Sequence, residues 1–219
     1  SELHRNKPIY SIPNGFDPTL INPGILLNDR FSIVYTGSLY QGKRDPEQLF
    51  EVIYFLQNNG LLGQNDVRID IYGPHENWLE NDIEKYHLQD VVTLYGMVTR
   101  ERAITEQRKA QILLLLTWNH PAEKGVYTGK LFDYLAARRP ILSIGYTDGG
   151  VVKELLDKTQ AGVHCSNETE LREYLLKAYR EYKELGAVQY HGIEAEIMKY
   201  SHREMARKFA KVLGEVTGE

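Results

Sequence analysis

A short segment near residue 130 combines small residues, a cation and a helical apolar pattern. It reads GVYTGKLFDYLAARRPIL, residues 125 to 142, and Thr128, Gly129 and Lys130 stand at the start of a predicted helix. The first N–H groups of a helix have no partner within it and carry the positive end of the helix dipole, so they favour a phosphate. Asp133, one turn further in, offers two oxygens that can accept hydrogen bonds from a pair of ribose hydroxyls. Together these residues predict a site for a nucleoside diphosphate.

The helical pattern divides this segment into two faces. The apolar face, predicted to be core, carries Leu131, Phe132, Leu135 and Ala136. The other face, predicted to be free for ligand contact, carries Lys130, Asp133, Tyr134 and Ala137. An alternative is that Lys130 and Asp133 form an exposed i,i+3 ion pair worth about 0.2–0.5 kcal/mol. The segment by itself leaves both interpretations open.

Two further stretches place glycine at the end of a predicted strand. In YTGSLYQGKRDP, residues 35 to 46, a strand ends at Gly37 and Ser38, and Lys43 and Arg44 stand just before a predicted helix. Backbone N–H groups, a hydroxyl and two cations at one strand end suit a phosphate, although the two cations also fit a solvated loop. The stretch TDGGVVKELL precedes another helix, for which ordinary capping by Asp148 is the alternative.

Six short β-rich runs alternate with helical patterns along the chain. The runs are FSIVYTG, VRIDIYG, VVTLYG, QILLLLTW, PILSIG and AGVHC. Alternation predicts an α/β fold, a doubly wound parallel sheet of about six strands, and the unbroken ILLLL predicts a central strand covered on both faces. Asp45 is the predicted N-cap of the first long helix, and Ser201 that of the last.

Composition limits the classes of function. The 219 residues carry a formal charge of −4, which gives no electrostatic support for binding nucleic acid. The single cysteine, Cys165, cannot form an internal disulfide, which suits a reducing compartment and predicts a cytoplasmic protein, and the longest apolar run is too short to span a bilayer. The histidines lack metal-ligand spacing, so no metal and no cofactor are expected. The chain starts without methionine, and we expect it to be a piece of a longer protein.

The ordered set of motifs resembles the C-terminal, donor-binding domain of GT-B glycosyltransferases of the retaining type. IPNGFDP is similar to the family's linker signature, YTGSLYQGKRDP to its first strand and basic loop, LYGMVTRE to its nucleobase loop, and TGKLFDYLAARRPIL to its most recognisable helix. The resemblance implies a residual linker over residues 1–18 and a Rossmann-like nucleotide-sugar-binding domain with a helical tail over residues 19–219.

The resemblance also implies roles for particular residues. The base would lie against the backbone at Met97 and Val98, and Asp133 would hold the ribose. The diphosphate would lie near a larger set, which comprises Gly37, Ser38, Lys43, Arg44, Thr128, Gly129, Lys130 and Leu131. The implied partner is a nucleoside diphosphate sugar, and the acceptor-binding N-terminal half is missing, so donor affinity with little transfer is expected. Peripheral membrane association of a full-length enzyme is compatible with the resemblance.

Some residues depart from the family's pattern. Gly125 stands where the family commonly has the first of two glutamates, with Asp133 at the second position and Glu123 out of register. His120 and Glu123 could contact a sugar or serve in proton transfer, the alternative being that His120 is a solvated loop residue, and no catalytic residue is assigned. The alternatives are a GT-B sugar-nucleotide epimerase and, from a different class, an inactive nucleotide-binding or protein-interaction domain. A dinucleotide dehydrogenase is disfavoured because no GxGxxG follows the first strand.

Overall fold

The fold is a six-stranded parallel sheet with helices on both faces, seen in a computed structural model that describes residues 9–21, 24–118, 120, 124–145 and 149–217. The strands are β1 (Phe31–Thr36), β2 (Val67–Tyr72), β3 (Val92–Gly96), β4 (Ile112–Leu116), β5 (Ile141–Ile144) and β6 (Gly162–Cys165). Their spatial order is β3-β2-β1-β4-β5-β6, and every pairing is parallel. The prediction of a doubly wound parallel sheet is confirmed.

Eight α-helices connect and flank these strands within the described residues. They are α1 (Glu47–Asn58), α2 (Asn77–Lys85), α3 (Arg100–Lys109), α4 (Gly129–Ala137), α5 (Gly150–Thr159), α6 (Glu168–Leu185), α7 (Glu194–Ile197) and α8 (His202–Thr217). Short 3-10 helices cover Pro18–Leu20 and Met198–Tyr200. None of the helices in the described ranges combines the length and apolarity needed to cross a bilayer.

Strand residues alternate between two separate hydrophobic clusters. Ile33 of β1 packs with α1, α2 and α6 on one face of the sheet, whereas Val34 packs with α4 and α5 on the other. Strand β4 is buried at all five positions and contributes to both clusters, as predicted from its unbroken apolar run. Burial on both faces explains why leucine and isoleucine fill this strand without any alternation.

The two predicted helix caps differ in outcome. Ser201 Oγ accepts the Glu204 N–H at 3.3 Å, so the start of α8 is confirmed. Asp45 does not occupy the N-cap position of α1, which falls on Pro46, but its carboxylate still accepts the Glu47 N–H at 3.2 Å. The predicted cap at Asp148 lies outside the described residues.

Helix α4 is buried around most of its circumference, which corrects its predicted two-face arrangement. Tyr134 and Ala137, assigned to a free face, are 0% and 7% exposed and belong to the same core cluster as the apolar face. The Tyr134 hydroxyl oxygen accepts the backbone N–H of Thr36 at 3.1 Å. The correction arises because α4 packs sideways against α3 as well as against the sheet, so a single apolar stripe underestimates its buried surface.

The predicted boundary between residues 18 and 19 stays a prediction. Phe16, inside the predicted linker, is 2% exposed and belongs to the core cluster that contains α4. Its N–H donates to the Tyr200 carbonyl at 3.0 Å, and its own carbonyl accepts the His202 N–H at 2.8 Å. The end of this segment is therefore tied to the segment that leads into α8.

Candidate functional site

A cleft of about 390 Å³ opens beyond the carboxyl ends of β1, β2 and β3. The starts of α3 and α4 close it on the other side. Its lining residues are Thr36, Gly37, Tyr72, Gly73, Met97, Val98, Arg100, Ala103, Ile104, Gln107, Gly129, Lys130 and Asp133. The strand order changes direction between β1 and β4, because β2 and β3 follow β1 on one side and β5 and β6 follow β4 on the other. Ligands of open α/β sheets bind at such a switch point. The size also falls within the usual range of small-molecule sites.

Two glycines let the strand ends at this cleft approach each other closely. A Cβ on Gly73 would lie 2.1 Å from the Gly37 carbonyl oxygen, and Gly37 itself has a φ of +118°. The Gly37 N–H donates to the Tyr72 carbonyl at 2.7 Å, which ties the ends of β1 and β2 together. The glycines predicted to mark strand ends therefore serve a backbone contact that a side chain would prevent.

Lys130 places an amine in this cleft without a carboxylate partner. Its Nζ lies 3.8 Å from the centroid of the Tyr35 ring, and a Cβ on Gly37 would lie 2.8 Å from the same Nζ. Among the described residues, no Asp or Glu forms an ion pair with Lys130. Burial lowers the pKa of Lys130 to about 7, and the nearby charge of Arg44 lowers it further in the same direction. The environment therefore disfavours the charged form of the amine.

The first turn of α4 leaves polar groups without partners. Thr128 occupies the N-cap position, yet its side chain makes no capping hydrogen bond. Its Oγ1 is buried and has no hydrogen-bond partner in the described part of the chain. Space beside Gly129 is open. Because helix starts favour anions, these groups and Lys130 form a site that suits a phosphate.

Asp133 faces the same cleft and pairs with a residue that the sequence did not single out. Its Oδ1 lies 3.3 Å from a terminal nitrogen of Arg100, at the start of α3. Burial raises the pKa of Asp133, while the charges of Arg100 and His202 act in the opposite direction. The alternative of an Asp133–Lys130 pair is wrong, because the two side chains leave α4 in directions that meet different neighbours.

The remaining predicted residues fall into three groups. Met97 and Val98 line the cleft, and Met97 is 76% exposed, while their contact with a base stays a prediction. Ser38 and Lys43 instead line a separate depression of about 350 Å³ with Glu76 and Trp78. The Lys43 Nζ there lies 4.7 Å from the centroid of the Trp118 ring. The described structure therefore does not bring Ser38 and Lys43 into the cleft that holds Lys130.

Arg44 and Leu131 also lie outside the main cleft. Arg44 lines a small depression with Thr128 and Trp118, next to the start of α4. Leu131 is 0% exposed in the core, and its N–H donates to the Thr128 carbonyl at 3.1 Å. Its position in the first turn is as predicted, but its side chain is a core residue rather than a ligand contact.

The loop after β4 contributes an aromatic stack. His120 is exposed, and its ring centroid lies 4.5 Å from that of Trp118, with an interplanar angle of 21°. Glu123 lies outside the described residues. Gly125 is exposed, and no atom lies within 4 Å of the position where its Cβ would be. No group of three or more His, Cys, Asp or Glu residues within the described ranges could hold a metal ion.

Sequence reasoning missed a polar residue at the inner end of the cleft. Gln107 on α3 is 3% exposed, and its Nε2 donates to Thr36 Oγ1 at 2.8 Å. Its Oε1 has no hydrogen-bond partner among the described residues. The segment RERAITEQRK is polar at most positions, so nothing in the pattern separates a buried glutamine from an exposed one.

The fold and its cleft define a Rossmann-like α/β domain, and comparison with known proteins places that fold among GT-B glycosyltransferase structures. The chain is similar to a glycosyltransferase from Rickettsia africae, at 16% identity and a TM-score of 0.70, covering 95% of this chain and 57% of that protein. It is also similar to HepE from Anabaena, solved with UDP and glucose, at 14% identity and a TM-score of 0.69, covering 93% of this chain and 56% of that one.

Sucrose-phosphate synthase from Thermosynechococcus elongatus is a further match, at 11% identity and a TM-score of 0.67, covering 94% of this chain and 52% of that protein. The chain therefore spans about half the length of these solved structures. No protein-family profile and no curated protein matches it by sequence. The predicted resemblance to GT-B glycosyltransferases is confirmed at the level of the fold.

Proposed function

We propose that the cleft binds the nucleoside diphosphate of a sugar nucleotide, and that the chain is the donor-binding domain of a glycosyltransferase. The observation that carries this proposal is the Lys130 amine, which lies at the start of α4 without a carboxylate partner among the described residues. An anion there would restore the charge balance and accept hydrogen bonds from the free end of the helix. A diphosphate has both the charge and the oxygens required.

The rest of the cleft fits the other parts of the same ligand. Asp133 is the proposed partner of the ribose hydroxyls, and the backbone at Met97 and Val98 that of the base. Ser38, Lys43 and Arg44 stay predictions as further diphosphate contacts. Two neighbours in fold, HepE and the pneumococcal O-GlcNAc transferase GtfA, were solved with UDP, so uridine diphosphate is the first probe. No residue is proposed as catalytic, and transfer is proposed to need an acceptor-binding half.

Nucleoside diphosphates are expected to raise the melting temperature of the protein, because a ligand that binds only the folded state stabilises it by mass action. At about one hundred times Kd the gain is about 2.7 kcal/mol, which corresponds to a shift of roughly 5 °C or more for a domain of this size. Thermal denaturation with uridine, guanosine and adenosine diphosphates measures it. If none shifts the transition at millimolar concentration, the proposed donor site is wrong.

Asp133→Asn is expected to weaken binding of a ribonucleoside diphosphate by roughly 5- to 150-fold, a loss of about 1–3 kcal/mol. The amide keeps the shape of the side chain but replaces one acceptor oxygen with a donor, so a pair of hydroxyls can no longer donate to both atoms. Calorimetric titration with uridine diphosphate and its 2′-deoxy form measures the effect. Removing the 2′-hydroxyl should cost the wild type more than the variant.

The control is Asp157→Asn, which removes a carboxylate that is paired with Lys153 on the exposed face of α5. This variant should bind both nucleotides as the wild type does. Purely additive effects of Asp133→Asn and of the 2′-deoxy ligand would remove Asp133 from the ribose site. Asp133→Asn also removes the ion pair with Arg100, which changes the free energy of unfolding by about 0–1 kcal/mol because both groups are partly exposed. This change in stability is the same with either nucleotide.

An inactive nucleotide-binding domain is the second candidate. The observation in its favour is Gly125, an exposed glycine that provides no carboxylate at the position where the resemblance implies one. Both candidates expect nucleotide binding. Transfer of sugar from a labelled nucleotide sugar by a longer protein that contains this domain separates them, since the inactive candidate predicts binding without transfer.

A further inference from the structure

A second concave surface lies beside the cleft that is proposed to bind the nucleotide. It is the depression of about 350 Å³ between the loop that follows β1 and the connection from β2 into α2. Gly37 lines the nucleotide cleft, whereas the next residue, Ser38, lines this depression. The volume falls within the usual range of small-molecule sites, so the depression is large enough for a ligand of its own.

Two aromatic side chains from different loops line the depression. Tyr40 belongs to the loop after β1 and is 51% exposed. Trp78 belongs to the first turn of α2, where it is partly buried against the core cluster on the α1 face of the sheet. The faces of aromatic rings carry partial negative charge, so they attract the slightly positive C–H groups of a sugar ring. The aromatic part of the lining therefore suits the flat face of a pyranose.

The rest of the lining supplies both acceptors and donors of hydrogen bonds. Glu76 is the N-cap residue of α2, yet its carboxylate makes no capping hydrogen bond and has no other partner among the described residues. Gln41 adds an amide that is also without a partner in the described part of the chain, and Lys43 adds an amine. Sugar hydroxyls both donate and accept, so this mixture can match several hydroxyls of one ring.

The charges of the lining favour a neutral ligand. Glu76 and Lys43 are the charged residues in the described lining, and they have opposite signs. An anion would be repelled by Glu76 and a cation by Lys43, whereas a neutral polyol can use both as hydrogen-bond partners. The nucleotide cleft differs, because the amine of Lys130 lies there without a carboxylate partner among the described residues. The two sites therefore select different chemistry.

The loop that carries Tyr40 is fixed by hydrogen bonds and by burial. The Tyr40 N–H donates to the Arg44 carbonyl at 3.0 Å, and the Arg44 N–H donates to the Tyr40 carbonyl at 2.9 Å. The Tyr35 hydroxyl donates to the Ser38 carbonyl at 2.7 Å, and Leu39 is 3% exposed in the core. A site that is already formed loses little conformational freedom when a ligand binds.

We propose that this depression is a saccharide-binding site for a neutral pyranose unit of a glycan. Tyr40 and Trp78 contact the ring, and Glu76 accepts hydrogen bonds from its hydroxyls. The site goes beyond the proposed function, because it gives the domain a second ligand whose binding does not require a nucleotide. Since Ser38 follows Gly37 directly, a glycan held there lies next to the nucleotide cleft.

The test titrates the methyl pyranosides of glucose, galactose, mannose and N-acetylglucosamine into the protein and follows tryptophan fluorescence. The chain has two tryptophans, so Trp118→Phe leaves Trp78 as the reporter and is the parent for all variants. At least one glycoside is expected to change the Trp78 emission, with a dissociation constant in the millimolar range. Saturation-transfer NMR of the same mixtures detects binding independently of the reporter.

Tyr40→Ala and Glu76→Gln are each expected to weaken binding of that glycoside by about tenfold, because they remove a ring contact and a charged acceptor. The matched controls are Tyr10→Ala, at an exposed tyrosine, and Glu80→Gln, at an exposed carboxylate of α2. Both lie outside the lining and should bind as the parent does. Thermal denaturation by circular dichroism establishes that each variant is folded.

Competition identifies the source of the sugar. The glycoside should bind equally well in the presence of uridine diphosphate, UDP-glucose or inorganic pyrophosphate. Displacement by UDP-glucose but not by uridine diphosphate would assign the depression to the sugar of the nucleotide and overturn a separate glycan site. Displacement by pyrophosphate would identify an anion site instead.

Two further results would reject the saccharide site. One is the absence of binding of every glycoside by both methods, and the other is an affinity that Tyr40→Ala and Glu76→Gln leave unchanged. Failure of every nucleoside diphosphate to bind would instead reject the proposed function and leave the saccharide site standing.

Discussion

Lys130→Met is expected to lower the affinity for uridine diphosphate by about 100-fold, the upper part of the range for loss of one charge-assisted contact. Methionine matches the length of the stem but removes the charge from the start of α4, where the amine lies 3.8 Å from the centroid of the Tyr35 ring. Isothermal titration calorimetry measures the change. Lys158→Met, at an exposed position near the end of α5, is the matched control and should bind as the wild type does.

Proton uptake distinguishes Lys130 from a simple surface cation. Burial lowers the pKa of this amine to about 7, and a bound diphosphate would favour the charged form. Binding above that pH should therefore take up one proton, so that affinity falls by about tenfold for each pH unit above 7 in the wild type and does not fall in Lys130→Met. A variant that binds within threefold of the wild type, or the same pH dependence in both proteins, contradicts the assignment.

The same variant should not be less stable than the wild type near pH 7. In the unfolded chain the amine stays charged up to its ordinary pKa of 10.5, whereas in the folded chain it is charged only below about 7. The unfolded state therefore binds more protons between these values, and wild-type stability rises with pH across that window. The melting temperature of Lys130→Met relative to the wild type should be highest near pH 7 and decline toward pH 10.

Phe132→Ala is expected to reduce the free energy of unfolding by about 3–5 kcal/mol, a large part of the stability of an ordinary domain. Phe132 is 1% exposed in the core cluster on the α4 face of the sheet. The centroid of its ring lies 5.8 Å from the ring centroid of Tyr127 and 6.3 Å from that of Tyr200, so truncation leaves a cavity among aromatic neighbours. Urea denaturation followed by circular dichroism measures the loss.

Phe209→Ala is the matched control for this truncation. Phe209 lies on α8 and is 50% exposed, so the same change in side chain should cost less than about 1 kcal/mol. Equal costs for the two variants would mean that α4 is not packed as described. Because Phe132 belongs to the helix that begins at the proposed phosphate site, Phe132→Ala should also weaken diphosphate binding under conditions in which part of the protein is unfolded.

The sequence by itself determined the strands, the order of elements and several residues of the cleft. Strands buried on both faces need continuous apolar runs, and glycines at strand ends permit contacts between backbones, so both leave local signals. The start of α4 was predicted from the same kind of local rule. Lys130, Asp133, Met97 and Val98 line one cleft, which is the geometry that the predicted donor site requires, and their binding roles stay predictions.

Tertiary structure alone decided which polar groups are paired. Asp133 pairs with Arg100 from another helix, and Gln107 is buried because α3 packs against both β1 and α4. Hydrophobic periodicity predicts one apolar face of a helix, but it does not predict a second surface that a neighbouring helix buries. For that reason Tyr134 was wrongly assigned to the free face of α4. Pairing and burial depend on atoms distant in sequence, so the unpartnered amine of Lys130 and carbonyl of Gln107 become visible only once the chain is folded.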